Sequence, residues 1–465
     1  MTNRGRLSPG RANRQVEMGR LESQYARIAL EYRSSGLLFC GVTISGLRSP
    51  LLPLLLPGAI ETLQRRHPIL RCTLNQHHKQ LVFCEHALLP IPVEQYTRSG
   101  EYSWKSIWEN FFESQDAKLG DKVWRVCVVG AGTEGEPLEL ILAMHQCACD
   151  GESLSSLLHE LLTLLGGNGN DGGIEGDGPW DGPWDVDMDE EQECRRLVPN
   201  SVNYLTHNLA SLAWFCKPLL VGMPLVTGAQ KLLSGAKQAI HTSKTHHRMH
   251  ELSANELFEL QRECVVQGVS VASAVSGAFL CAQRRAASIT ATSSSSFYAT
   301  LAWTFSTREM FHVPTSQSLS PHVGTMFTSL RVGGNKDMWA VALGIERWRT
   351  KTTQVDQSFY TKHTTEFTSL LPTGLSLVRP ANVGVLVLPP IIHQQYGPEL
   401  VVERSVFAQN HRHIASPLLC VNGMVHGKLS LTVCAAKPQL DPRMLDHTMD
   451  LALISLTTTT SKSKL

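Results

Sequence analysis

The alternation of apolar and polar positions becomes regular from about Met18 onwards. Ala59–Leu70 (AIETLQRRHPIL) places apolar residues at helical spacing. His67-Pro68 stops that helix, because a residue before proline is pushed out of the helical region. Arg71–Leu74 and Gln80–Cys84 are read as short strands, and the aromatic, amphipathic Glu101–Phe112 as a helix. Val123–Val129 and Leu138–Met144 are rich in residues suited to strands. After Gly151, the run SLSSLLHELLTLL repeats leucines three and four apart, an amphipathic helix with Asp150 or Ser153 as its cap.

The character then changes. Gly166–Glu191 is dense in glycine, aspartate and proline, with a near-repeat of DGPW, and reads as an exposed loop. Leu209–Leu225 is the most apolar stretch, but Lys217, Pro218 and Pro224 interrupt it. A bilayer-spanning helix needs ~20 mostly apolar residues. The segment is therefore expected to bridge two lobes, with peripheral membrane contact through 209–225 as the alternative. His241–His250 (HTSKTHHRMH) lacks the H-E-x-x-H zinc pattern and reads as a polar linker. Glu251–Gln261, Val269–Arg284, Met338–Thr350 and Pro442–Leu456 read as helices. Phe297–Phe305, Val323–Val332, Asn382–Leu388 and Lys428–Ala435 read as strands. Strands and helices mix in both halves without a βαβ beat, which predicts an α/β protein of two lobes with mixed sheets.

Composition narrows the partners. A chain of 465 residues, 42% hydrophobic, can bury a sizeable core in two lobes. Its formal net charge of +1 points away from nucleic acid and towards a largely neutral ligand. The basic N-terminus has no apolar core segment, so a polar tail over 1–17 is expected rather than a secretory signal. The 12 cysteines are then expected to be reduced and packed, in a cytoplasmic setting or at the surface of an internal membrane. Cys147 and Cys149 form a C-x-C with no zinc-spaced partner, so no metal is expected. Gly130–Gly135 (GAGTEG) has dinucleotide-motif spacing, yet Pro137 and a second strand follow where that motif needs a helix. There is no G-x-S-x-G elbow and no P-loop.

The candidate chemistry lies in Met144-His145-Gln146-Cys147-Ala148-Cys149-Asp150-Gly151, where a buried strand gives way to a helix. This segment resembles, without a gap, the His-His-x-x-x-Asp-Gly signature of condensation domains, alcohol acetyltransferases and their polyketide-associated relatives. These belong to the chloramphenicol acetyltransferase-like superfamily. Leu63–Arg71, Val123–Val126, Gly268–Ala278, Arg308 followed by Gly324, and Ala381–Gly384 resemble further landmarks, so the likeness runs from about 20 to 456.

The resemblance implies two similar lobes around a shared tunnel, near 18–165 and 246–456. An acidic glycine-rich loop (166–200) and an apolar, His-rich connection (201–245) would lie between them, and 457–465 would be a polar tail. It implies an acyl-CoA or acyl-carrier thioester as co-substrate, an alcohol or amine acceptor, an acyl carrier protein as a candidate partner, and no tightly bound cofactor. The second histidine of the signature would be the general base. The aspartate, Asp150, would be structural and pair with an arginine of the other lobe, by resemblance Arg308. Asn382 and Gly384 would lie near the tunnel. The Asp-Phe-Gly-Trp-Gly element of plant-type acyltransferases is missing, which favours the alcohol-acetyltransferase-like branch and O-acyl transfer.

One departure matters. The base position holds Gln146, whose amide hydrogen-bonds but takes no proton near neutral pH. Neighbouring side chains of an extended segment face opposite ways, so a tunnel-facing Gln146 turns His145 towards the core; a one-residue bulge would invert this. Three readings stay open: a transferase using His145 or another base, a slow enzyme relying on proximity, and a non-catalytic relative that binds an acyl thioester or a partner. Thiol–thioester exchange through Cys147 or Cys149 is a further option, against a structural role for those thiols.

Overall fold

The computed structural model describes residues 14–32, 36–46, 52–96, 117–130, 137–166, 244–288, 297–306, 308, 319–332, 337–354, 383–397, 400–410, 416–437 and 440–462. The expected helix Glu101–Phe112, the apolar stretch Leu209–Leu225, Asn382 and almost all of the acidic loop lie outside them.

The first part of the chain runs β1 (Arg14–Glu17), α1 (Arg20–Glu31), β2 (Leu37–Ser45), α2 (Leu52–Arg66), β3 (Cys72–His77), β4 (Gln80–Glu85), β5 (Val93–Tyr96), β6 (Trp124–Val129), β7 (Leu138–His145) and α3 (Gly151–Leu165). The second part runs β8 (Lys244–Leu252), α4 (Ala254–Gln267), α5 (Val271–Ser288), β9 (Phe297–Ser306), β10 (Val323–Val332), α6 (Met338–Gln354), β11 (Val383–Val387), β12 (Gln395–Tyr396), β13 (Leu400–Gln409), β14 (Leu418–Val425), β15 (Lys428–Lys437) and α7 (Pro442–Lys462).

Two six-stranded mixed sheets organise these elements, with a three-stranded sheet β1-β4-β3 beside them. The first large sheet has the order β12-β13-β2-β7-β6-β5, the second β10-β9-β11-β14-β15-β8. β7 (LELILAMH) is buried along its whole length because β2 and β6 flank it as antiparallel neighbours. Helix α3 is held against this sheet by Leu154, Leu157, Leu158, Leu161, Leu162 and Leu165, all 0–1% exposed. Full burial of one such side chain is worth roughly 1.5–3 kcal/mol, so the start of α3 is a fixed point. The second sheet is covered by α4–α7 around a core that includes Phe279, Trp303, Ile345 and Leu431.

Four segments depart from the sequence reading: Arg14–Glu17, expected within the N-terminal tail, is a strand paired with β4; helix α7 runs on to Lys462, through the start of the expected C-terminal tail; and two lie at the start of the second part. The His-rich stretch 244–252 is an edge strand rather than a linker, paired over its whole length with β15. Thr245, His246 and His247 are buried there because strand pairing satisfies the backbone and leaves room for imidazoles against neighbouring side chains. Helix α4 consequently starts at Ala254, not Glu251. Ser253 caps it in a reciprocal box with Glu256, and Gly268 closes it at φ 66°, a left-handed position suited to glycine.

The chain also crosses between sheets. β12 and β13 follow β11 of the second sheet in sequence, yet β13 pairs with β2 from Val401↔Ser45 to Gln409↔Leu38. The two sheets therefore do not coincide with consecutive halves of the chain. Among the described residues no single helix is long and apolar enough to cross a membrane.

Candidate active site

Strand β7 ends at His145, whose Cα partner is Leu37 on β2. The backbone then leaves the sheet in a turn: Gln146 N–H donates to the Gly36 carbonyl at 3.0 Å and Ala148 N–H to the His145 carbonyl at 2.8 Å. Gly36 has φ +84°, and a Cβ there would stand 3.2 Å from Gln146 Oε1. Glycine thus serves the strand's entry conformation and leaves room for the amide. Within 138–151 Gln146 is the one residue that is not buried. Its Oε1 accepts a long hydrogen bond from Gln409 Nε2, 3.4 Å, at the end of the crossing strand β13.

His145 faces the other way. It is 5% exposed, its Nδ1 makes no hydrogen bond among the described residues, and its backbone N–H is spent on Val123. Burial first, and the positive charge of Arg125 second, push its pKa down to about 4. It is a neutral core imidazole, and no bulge brings it to the Gln146 side: the β7–β2 register is unbroken through His145. Cys147 and Cys149 are likewise buried, and desolvation drives both thiols well above the ordinary value. Neither is a nucleophile in this setting.

Asp150 caps α3 through Oδ1, which accepts from Ser153 N–H at 2.7 Å and Ser153 Oγ at 2.8 Å. Its Oδ2 accepts from Arg308 at 3.0 Å and from the backbone N–H of His322 at 2.8 Å. Arg308 is 3% exposed and also donates to the Ser320 carbonyl at 3.0 Å and to Ser153 Oγ. Arg308 follows β9 and His322 precedes β10, so a motif carboxylate on the first sheet is clasped by the second lobe. Gly151 serves packing: a Cβ there would meet Leu388 at 2.7 Å and Phe407 at 3.2 Å.

The structure thus brings Asp150, Gly151 and Arg308 to one seam between the sheets, keeps Gln146 in the turn that leads to it, beside Gly36 and Gln409, and turns His145 away. Gly384 lies in β11, in the middle of the second sheet between β9 and β14, with its amide bonded to the Pro417 carbonyl at 2.8 Å. Sequence reasoning missed His322, whose ring Nε2 is 2.7 Å from Ser320 Oγ. Burial and the Arg308 charge lower its pKa to about 4 against the pull of Asp150. It also missed Gln409. The signal for His322 was its place two residues before the landmark Gly324; Gln409 carried none. Among the described residues no group of three His, Cys, Asp or Glu could hold a metal ion.

No family model matches the sequence, and no curated protein matches it significantly. Solved structures match it in shape. The first condensation domain of the calcium-dependent antibiotic synthetase covers 95% of this chain and 97% of its own length, at TM-score 0.65 and 12% identity. The trichothecene 15-O-acetyltransferase from Fusarium sporotrichioides covers 97% of each chain at TM-score 0.64 and 11% identity. A starter condensation domain of rhizomide synthetase, in complex with C8-CoA and Leu-SNAC, covers 96% of this chain and 94% of its own, at TM-score 0.62 and 10% identity.

Proposed function

We propose that this chain, which has the two-lobed condensation-domain and acetyltransferase fold, transfers an acyl group from a thioester donor to an alcohol in the seam between its lobes. The donor is acyl-CoA or an acyl carrier protein, and the acceptor a small molecule. The observation that carries the reading is the buried Asp150–Arg308 clasp, which fixes the motif turn against the second lobe and leaves Gln146 at the one accessible position of that turn. An amide there orients a hydroxyl and polarises a carbonyl without taking the proton. Positioning of two substrates supports reaction on its own. The missing base forfeits roughly 10²–10⁴-fold.

A second reading has its own support. His145, the remaining motif imidazole, is sealed in the core with a pKa near 4, so it supplies no base on the acceptor side. On that reading the chain binds an acyl thioester or a protein partner without turnover. Incubation with acyl-CoA of graded chain length and a panel of alcohols separates the two, with free thiol and ester both measured. The transferase reading expects slow ester formation by the parent and a gain of roughly 10²–10⁴-fold in Gln146→His. Saturable acyl-CoA binding with no ester from either protein would decide for the binding reading.

A further inference from the structure

Three backbone hydrogen bonds tie the motif turn to the end of the crossing strand β13. Gln146 N–H donates to the Gly36 carbonyl at 3.0 Å, Gly36 N–H to the Asn410 carbonyl at 2.7 Å, and Asn410 N–H to the Leu37 carbonyl at 2.8 Å. Asn410 is fully buried, and its Oδ1 accepts from Thr245 Oγ1 on β8 at 2.8 Å, so the end of β13 is anchored on the second sheet as well. Met144 and Gln409 both stand opposite Leu38 in the ladder. Side chains alternate along a strand, so Gln146, two residues on from Met144, meets Gln409 on that same face. The carboxamide of Gln146 has two unlike ends. Its Oε1 is turned inwards: it accepts from Gln409 Nε2 at 3.4 Å and lies 3.2 Å from where a Cβ on Gly36 would stand. Its Nε2 has no hydrogen-bond partner among the described residues, at the one position of 138–151 that is not buried. A donor is thus offered where the motif's second histidine would accept a proton.

We propose that Gln409 is a positioning residue: it holds the Gln146 oxygen and so turns the Nε2 end of that amide to the substrate, where it donates to the carbonyl oxygen of the acyl thioester; this rests on the transferase reading above. An amide free to turn would present either end, and an oxygen there would repel the carbonyl it has to bind. With Oε1 engaged by Gln409, the polarity is set. As the alcohol oxygen attacks the carbonyl carbon, negative charge builds on the carbonyl oxygen, and a fixed N–H at that point stabilises it. The bond from that carbon to the donor sulfur then breaks. The amide takes no proton, and the hydroxyl proton ends on the departing donor thiolate. Ester and free donor thiol result, with nothing oxidised or reduced. Gln146 is thereby assigned to the donor carbonyl rather than to the acceptor hydroxyl, and Gln409 acts through it without touching substrate.

The test uses the full chain with octanoyl-CoA, isotopically labelled at the carbonyl carbon, and no acceptor, read by infrared difference spectroscopy. A hydrogen bond to the carbonyl oxygen lowers its stretching frequency, so the expected band of the bound thioester lies below that of free octanoyl-CoA. In Gln146→Glu the contact with Gln409 is kept but no N–H is offered, and the bound band returns to the free position. In Gln409→Glu the new carboxylate accepts from Nε2 and turns the amide round, with the same loss. Gln409→Met, which adds no buried charge, removes the holding donor and moves the band part of the way back. With an alcohol present, Gln409→Glu lowers kcat by roughly 10²–10³-fold, the share of one oxyanion donor, and leaves KM little changed. A merely structural Gln409 lowers the melting temperature of its variants and leaves the bound band where the parent has it. That result in both variants overturns the proposal and leaves O-acyl transfer standing. A parent band at the free position, with octanoyl-CoA bound, also overturns it, and the ester assay alone then decides the transferase reading. No binding of octanoyl-CoA sinks the transferase reading and this proposal with it.

Discussion

Removing Arg308 should loosen the molecule at its inter-lobe clasp. Asp150 receives four hydrogen bonds: two from Ser153, one from His322 N–H and one from Arg308. In Arg308→Met three remain, but the carboxylate is 2% exposed and loses its counter-charge. Breaking a buried pair from one side costs roughly 3–5 kcal/mol, because the surviving charge stays desolvated. If the lobes melt as units of ~150–250 residues, each kcal/mol lowers Tm by roughly 2–4 °C. The expected fall is therefore about 6–20 °C in a thermal melt. Asp150→Asn should be comparable, since its Nδ2 donates and accepts from neither Arg308 nor His322 N–H. The double variant should recover about 2 kcal/mol relative to the sum of the singles, within the usual range for residues in contact. A fall below about 2 °C for Arg308→Met, or strict additivity in the double variant, would refute the claim that this pair ties the lobes.

Other outcomes follow from the same geometry. His145 has a folded-state pKa of about 4 against the ordinary 6.5, so the unfolded chain binds a proton that the folded chain refuses. Its share of stability is complete above about pH 6.5 and is lost as pH falls towards 4. Denaturant midpoints of the parent should drop across that window more steeply than those of His145→Gln, and equal slopes would reject the assignment. Gly151→Ala should destabilise by about 1–3 kcal/mol, because its Cβ would press on Leu388 and Phe407. The matching change Gly58→Ala, which meets nothing within 4 Å, should be neutral or stabilising in the same melt.

Legibility in the sequence tracked locality. Strands β6 and β7 and helix α3 were readable because their apolar patterns are short-range, and a single cap residue, Asp150, marked the join. The Asp150–Arg308 contact was readable only through resemblance, since nothing local relates positions 158 residues apart. Strand β13 was not assigned at all. Its partners lie some 360 residues earlier on β2, and periodicity says nothing about which strand another will meet. The His-rich strand β8 was hidden for a different reason: Lys244-Thr-His-His-Arg-Met-His looks solvated until β15 supplies its ladder. Gln409 reached Gln146 by the first of those strands, so the sequence could not nominate it.

The crossing of β13 has a consequence for how this chain comes into being. As the polypeptide leaves the ribosome, β2 waits with an unpaired row of amides and carbonyls until residues 400–409 emerge. Such an exposed edge invites pairing with other chains. A fragment stopping before residue 400 lacks the missing strand for good and should aggregate. A cut anywhere between the two sheets therefore leaves the first large sheet without β12 and β13 and β2 with an open edge.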